Sequence, residues 1–412
     1  MARGRYLLLL GLAFALTRGF LFWSAHWDIN LANSADIGIY ESWAQQLQDA
    51  NLAPYAGIAI EYPPGVLPAV VFPEMLKGSQ GSYLEPFILI MLAVDIAAFA
   101  GLVLASRRVG RRAPPWFWIA ATTLLGPIIY LRLDLVPAAA TIWFAERLAA
   151  GSWGGAGGWL GFGTLAKVYP GFLLPAALVA SPNRKRFLLA AAAVVGLLLL
   201  PFVGALPDLW RSVFSFHAGR GIQAESTWGL VFTISSRLQG FLVIDLTFGA
   251  VHIGSSAAAI TKLTSLILTV GVVGFGTWVA ARLPRGEPAP LTQLLFGMLA
   301  LLLAFGTVFS PQFVLWLIAL AAGALCFSRI SWPLALVLPV AALTHASFLQ
   351  LAKIVTADYA LTLPLLVRNT LVFAAGMGAL FGLQWTRAPS RLGNPFRRLR
   401  DRLPFPPRSE TG

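Results

Sequence analysis

Residues 84–112 read LEPFILIMLAVDIAAFAGLVLASRRVGRR. The first part is continuously apolar and about as long as the roughly 20 residues that cross a bilayer core. It then turns abruptly basic at Arg107, Arg108, Arg111 and Arg112. In hydrocarbon every backbone group must be satisfied internally, so such a run is a helix or one strand of a closed barrel. The apolar residues are continuous rather than alternating, which selects the helix. The basic end belongs on the cytoplasmic side, because short loops rich in Lys and Arg stay inside.

Working outward from this span, the same pattern recurs along the 412 residues, 58% of which are hydrophobic and only 11% charged. Mean hydropathy is +0.74, whereas in soluble domains roughly a quarter of residues are charged. Basic clusters at Arg3/Arg5, Arg184/Lys185/Arg186, Arg282/Arg285 and Arg387 to Arg408 set the orientation of the other runs. A first helix over about residues 5–24 has a signal-like basic start but no small-residue cleavage site, so it is read as retained. Short runs at about 134–148, 153–168 and 170–181 are divided by a Gly-rich junction and by Pro170. The run at about 65–77 is too short to cross and reads as re-entrant or interfacial. The expected fold class is all-α, a polytopic membrane protein of about twelve transmembrane helices with both ends inside. Residues 1–386 form the transmembrane domain. It carries two long extracytoplasmic loops, at about 25–64 and 206–258, with an apolar re-entrant part near 229–251. Residues 387–412, basic and Pro-rich, read as a disordered cytoplasmic tail.

The formal net charge of +13 sits at the ends of apolar runs. Anionic membrane lipid is therefore the expected partner and nucleic acid is not. The single cysteine, Cys326, allows no internal disulfide. No Walker A loop, paired-His motif, Ser-His-Asp arrangement or GxGxxG is present, so cytoplasmic nucleotide chemistry has no support. No internal repeat of the inverted-transporter kind is visible.

The unusual polar residues fall on one side of this topology. Asp36 precedes a helical stretch on which Tyr40 and Trp43 share its face; on residue chemistry alone it is equally a helix cap, with the aromatics in the membrane belt. Glu61-Tyr62-Pro63-Pro64 enters the next membrane segment in extended form. Arg132 and Asp134 mark the outer end of another span. Lys167 lies in an apolar run, where it either pairs with Asp134 or binds a ligand. His217, Arg220, Gln223, Glu225 and Ser226 crowd one loop, and Arg is suited to bidentate phosphate binding. Ser310-Pro-Gln312 marks a helix start, with Gln312 able to bond a sugar hydroxyl.

Taken in order, these residues resemble the glycosyltransferase C superfamily, and most closely glycosyltransferase family 87, the polyprenol-phosphate-mannose-dependent α-mannosyltransferase type. The resemblance rests on Asp36-xxx-Tyr40-xx-Trp43, Pro54-Tyr55, Glu61-Tyr-Pro-Pro, Arg132-x-Asp134, Lys167-x-Tyr-Pro, the His217/Arg220/Gln223/Glu225/Ser226 group and Ser310-Pro-Gln. It implies an integral transferase of a bacterial cell membrane with an extracytoplasmic site. A hexose, mannose first, would move from a polyprenyl-phosphate donor to a glycolipid or glycan acceptor. Asp36 matches the general base of the first outer loop; Asp28 lacks the following Tyr and Trp. Glu41 and Glu61 are the only close acidic companions, so no metal and no other cofactor is expected. The rival readings are a flippase or transporter of lipid-linked sugar, a ligase on the same scaffold, and a non-catalytic membrane scaffold.

Overall fold

The computed structural model describes residues 2–27, 34–48, 52–78, 81–215, 219–239, 244–247, 250–254, 256–348 and 359–383. Asp28, His217 and the expected tail at 387–412 lie outside the described residues. The chain opens with α1 (Ala2–Trp27), α2 (Ser34–Gln48), α3 (Leu67–Leu76) and α4 (Leu84–Val109). It continues with α5 (Ala113–Leu125), α6 (Leu135–Ala149), α7 (Trp153–Ala166), α8 (Tyr169–Ala180), α9 (Arg184–Leu199) and α10 (Leu206–Trp210). After a loop come α11 (Thr227–Gln239), α12 (Ala258–Ala280), α13 (Pro288–Phe305) and α14 (Val314–Leu325). The last helices are α15 (Trp332–Ala335), α16 (Val337–Phe348) and α17 (Tyr359–Phe381).

Among the described residues, six helical stretches are long and apolar enough to cross a membrane: Gly4–His26, Leu84–Val109, Arg184–Ser215, Ala258–Ala280, Pro288–Phe305 and Thr362–Phe381. The chain is thus an all-α membrane protein. The runs expected as further crossings fall on the shorter helices α5 to α8 and α14 to α16, none of which is by itself long enough to span, so six and not twelve spans are shown among the described residues. Proline sets many of the boundaries: Pro68, Pro114, Pro170, Pro288 and Pro333 stand in first turns, where the missing N–H is no loss. Arg107 and Arg108 close α4 before left-handed Gly110, in keeping with the helix dipole and the αL cap.

The core sits on α13 and α14. Every residue of α14 and thirteen of the eighteen residues of α13 are buried, the mark of helices that are apolar nearly all round and surrounded by others. By contrast α1, α9 and α12 leave Leu8, Leu16, Leu197, Ile260 and Leu266 more than half exposed, a surface suited to lipid chains.

The stretch near 229–251 departs from the re-entrant reading. It forms α11 and then two strands, β2 (Ile244–Thr247) and β3 (Ala250–Ile253). With β1 (Ile222–Gln223) they make an antiparallel sheet of order β1-β3-β2, in which Gln223 pairs with His252 and Ile244 with Ile253. Ile244 and Leu246 alternate with Asp245 and Thr247, and this period of two belongs to a strand. Mean hydropathy over a long window conceals it.

Two glycines allow close approaches that the site depends on. A Cβ on Gly65 would stand 2.6 Å from the carbonyl oxygen of Leu165, so the Pro63-Pro64-Gly65 entry is pressed against the end of α7. Gly126 breaks the chain after α5 at φ +81, and a Cβ there would meet the His345 ring at 2.1 Å. Only glycine suits such a position.

Candidate active site

α2 carries Asp36 in its first turn. Tyr40 and Trp43, one and two turns on, are 2% and 7% exposed. Tyr40 lies edge-on to Tyr62, with centroids 6.2 Å apart, and packs on Phe87 at 5.6 Å. Trp43 also meets Tyr62 edge-on, at 6.1 Å. The outer side of α2 is fastened by Lys77, whose Nζ lies 3.0 Å from Glu41 and 2.9 Å from Glu74. Asp36 Oδ2 is 2.9 Å from Arg132 Nε.

Arg132 and Asp134 occupy the turn between α5 and α6, where the helical path is broken by Gly126 and a short 3-10 helix, Pro127–Tyr130. Asp134 is fully buried and its Oδ1 lies 3.2 Å from Lys167 Nζ. Lys167 stands in extended conformation where α7 ends, and Pro170 starts α8 three residues later. Its Nζ also donates to the Tyr62 hydroxyl at 3.1 Å and lies 4.2 Å from the Tyr62 ring centroid. Phe313 and Trp316 complete the aromatic surround at 5.3 and 5.5 Å. Tyr169 stacks on Trp316 at 4.2 Å and shares a hydrogen bond with Thr141. Tyr62 is itself placed by Tyr55, a left-handed residue at φ 69 whose hydroxyl donates to the Tyr62 carbonyl at 2.9 Å. The question left by the sequence, whether Lys167 pairs with Asp134, is answered: it does, and it also faces the aromatic groups.

Arg220 reaches the same place from the loop before β1. The charges of Glu61 and Asp36 act on it, while burial pulls its pKa below the ordinary range. Burial pushes the Glu61 carboxyl up to about 7, against the pull of Arg220 and Lys167. Asp36, Tyr40, Trp43, Glu61, Tyr62, Arg132, Asp134, Lys167 and Arg220 are therefore one neighbourhood. Gln312 is half-buried in the 3-10 turn Pro311–Phe313 beside it.

A second polar group adjoins the first. The Gln223 amide nitrogen donates to Glu225 at 2.7 Å and to Ser310 Oγ at 3.1 Å. Burial raises the Glu225 carboxyl to about 7, although Arg368 and Arg132 both draw it down. The Ser226 hydroxyl donates to the Gln223 carbonyl at 2.7 Å and accepts from Gly229 N at 3.0 Å, so it caps the start of α11. Trp228 Nε1 donates to the Phe305 carbonyl at 2.8 Å, joining α11 to the end of α13. Among the described residues, no group of three His, Cys, Asp or Glu side chains could hold a metal ion.

The family model described as Glycosyltransferase family 87 matches residues 60–311, about three-fifths of the chain. The chain belongs to glycosyltransferase family 87. It is a membrane glycosyltransferase. The matched stretch takes in Glu61, Tyr62, Arg132, Asp134, Lys167, Arg220, Gln223, Glu225 and Ser226, while Asp36 and Gln312 fall outside it. No curated protein matches the chain.

The structure shows further buried polar residues around this candidate site that motif reading passed over. Arg368, fully buried in α17, donates to the Glu225 carbonyl at 2.7 Å and lies 4.2 Å from the Phe309 ring centroid. Its neighbour Asn369 donates to the same carbonyl at 3.0 Å. Arg18 in α1 and Asp95 in α4 form a buried pair at 2.8 Å. A charge in the middle of an apolar span is costly and marks function or pairing; Arg18, Asp95 and Arg368 all carry that signal in the sequence.

Proposed function

We propose that this transferase moves a hexose, mannose first among the candidates, from a polyprenyl-phosphate donor to a lipid-linked or polysaccharide acceptor on the extracytoplasmic face. The anomeric centre is inverted and Asp36 is the general base. One observation carries this reading: a partly exposed carboxylate, Asp36, pairs with Arg132 and acts electrostatically on Arg220, while Lys167, held by Asp134, donates to Tyr62 of the adjoining Tyr40, Trp43 and Tyr62 cluster.

Asp36 accepts the proton of the acceptor hydroxyl as its oxygen attacks the anomeric carbon. The bond from that carbon to the phosphate oxygen breaks, and the electron pair stays on the phosphate. The lipid phosphate gains negative charge and leaves unprotonated. Arg220, Lys167 and Arg132 are placed to stabilise that charge, and in a buried site such groups are strongly effective. No step in this scheme is routed through a metal. The aromatic floor offers flat apolar faces to the sugar, and Gln312 and Gln223 offer amides to its hydroxyls. An apolar cleft of about 330 Å³ between α12, α13 and α17, lined by Ile267, Phe275, Met298, Phe305 and Leu380 among others, supports a donor with a long hydrocarbon tail. The outward orientation of the site is supported by the basic clusters at the other ends of the helices.

The direct test is purified protein in liposomes with labelled polyprenyl-phosphate mannose and a panel of glycolipid acceptors. Wild type transfers label to an acceptor, and Asp36→Asn lowers that rate by about 10²- to 10⁴-fold, the usual worth of a general base. Wild-type rates in Asp36→Asn, or movement of intact donor across the bilayer without transfer, would sink the reading.

A further inference from the structure

The buried charge pair below the site is built as a single post. Asp95 in α4 is fully buried, and Arg18 in α1 is 3% exposed. Four hydrogen bonds end on the Asp95 carboxylate. Arg18 Nε donates at 2.8 Å and Arg18 Nη2 at 3.4 Å. Trp118 Nε1 donates at 2.8 Å and the Tyr130 hydroxyl at 2.9 Å. Arg18 Nη2 also donates to Thr122 Oγ1 at 2.8 Å, and Thr122 passes its own proton to the Trp118 carbonyl at 2.6 Å. The Arg18 guanidinium lies 4.3 Å from the Phe14 ring centroid. Three helices and the 3-10 turn thus meet at one carboxylate.

Isolating such charges from water is expensive, and apolar packing would hold three helices together as well. Intramembrane ionisable groups are for that reason functional by default. The connections show which function. Tyr130 is the last residue of the 3-10 helix after Gly126, and Arg132 follows two residues later in the turn before α6. α1 precedes α2, which carries Asp36. One carboxylate therefore ties α1, α4 and α5 to the turn that carries the base's partner.

We infer that Asp95, with Arg18 and Tyr130, is a positioning device that sets the Asp36–Arg132 pair, acting through the Tyr130 hydroxyl on the turn that carries Arg132. This rests on the reading of Asp36 as base only for its kinetic consequence; the positional claim stands apart from it. Tyr130→Phe is the mildest probe, because the ring still fills its pocket and only the hydroxyl is lost. Asp95→Asn is the second, keeping shape while removing the charge.

Two measurements test the inference on the full-length protein in detergent or nanodiscs. In hydrogen–deuterium exchange, Tyr130→Phe raises exchange in peptides covering 127–136, and Asp95→Asn raises it there and in 34–44, with the protein still monodisperse. Unchanged exchange in both variants would overturn the positional claim whatever Asp36→Asn does. In kinetics, Tyr130→Phe lowers kcat about 10-fold, with the KM for donor within 2-fold of wild type. In an Arg132→Lys background the same change has little further effect, since groups acting through one another are not additive. Full additivity with Arg132→Lys, where Asp36→Asn is inactive, would overturn the inference while leaving the base assignment in place. An active Asp36→Asn would remove the base assignment and leave the exchange result to decide the positional claim.

Discussion

Asp36 Oδ2 is 2.9 Å from Nε of Arg132, and along the chain the two are separated by three helices, α3, α4 and α5. The contact removes Asp36 from a purely capping role, because its carboxylate is held from across the site. In the proposed mechanism it also gives Arg132 two tasks: orienting the base and contributing positive charge where the leaving phosphate would sit. A guanidinium can do both at once because its donors form a fixed fork, which an ammonium lacks.

Arg132 should therefore tolerate neither loss nor conservative exchange. Arg132→Ala is expected to lower kcat/KM by about 10²-fold or more, comparable to losing one preorganised donor. Arg132→Lys should recover only part of this. Steady-state transfer with labelled donor measures it, and full activity in Arg132→Lys would contradict the fork argument.

Lys167 and Asp134 separate structure from chemistry in a different way. Asp134 is fully buried and its cation is Lys167, at 3.2 Å. Lys167→Met leaves that carboxylate uncompensated, a change that costs about 3–5 kcal/mol in buried pairs. A clear drop in melting temperature in detergent is expected. The double variant Lys167→Met/Asp134→Asn should restore much of the melting temperature and little of the transfer, because the cation facing Tyr62 is still absent. Recovery of both would make the pair purely structural.

Glu61 predicts a pH dependence. Burial raises its carboxyl from 4.5 to about 7. Between those values the folded protein holds a proton that the unfolded chain has released, so the contribution to stability is present in acid and is lost as pH rises through about 7. The functional sign runs the same way. Below 7 the neutral carboxyl leaves Arg220 and Lys167 available to an anionic phosphate; above 7 the carboxylate competes for them. Donor KM should rise across pH 6 to 8 in wild type and stay flat in Glu61→Gln. An equal slope in both proteins would exclude Glu61 as the source.

Much of this architecture was legible before any coordinates. The run at 84–112 requires a membrane helix because hydrocarbon offers the backbone no partner. Proline punctuation predicted the break at Pro170, whereas the glycine run Gly154–Gly158 lies inside α7 and the break before that helix falls at 150–152, where Gly151 is left-handed. The motif residues lay in order along the chain, and the family match confirms the class of protein they pointed to. What the pattern missed has physical causes. The strands at Ile244–Thr247 and Ala250–Ile253 are too short to register in a window suited to helices. Arg368 and Asn369 were passed over because a motif reading attends to loops, whereas these two act from the middle of α17 on the Glu225 carbonyl.

The sequence by itself determined that this chain is helical and embedded in a membrane, because the transfer of apolar surface and the pairing of the backbone are local matters, decided within each run of residues. It also placed Asp36 at the start of a helix. Only the tertiary structure decided that Asp36 meets Arg132, that Lys167 faces both Asp134 and Tyr62, and that Arg18 and Asp95 share one buried post with Tyr130. Those pairings depend on how the helices are stacked and turned against one another. A charge in one span does not specify which of many opposite charges it will meet, until packing fixes the distance.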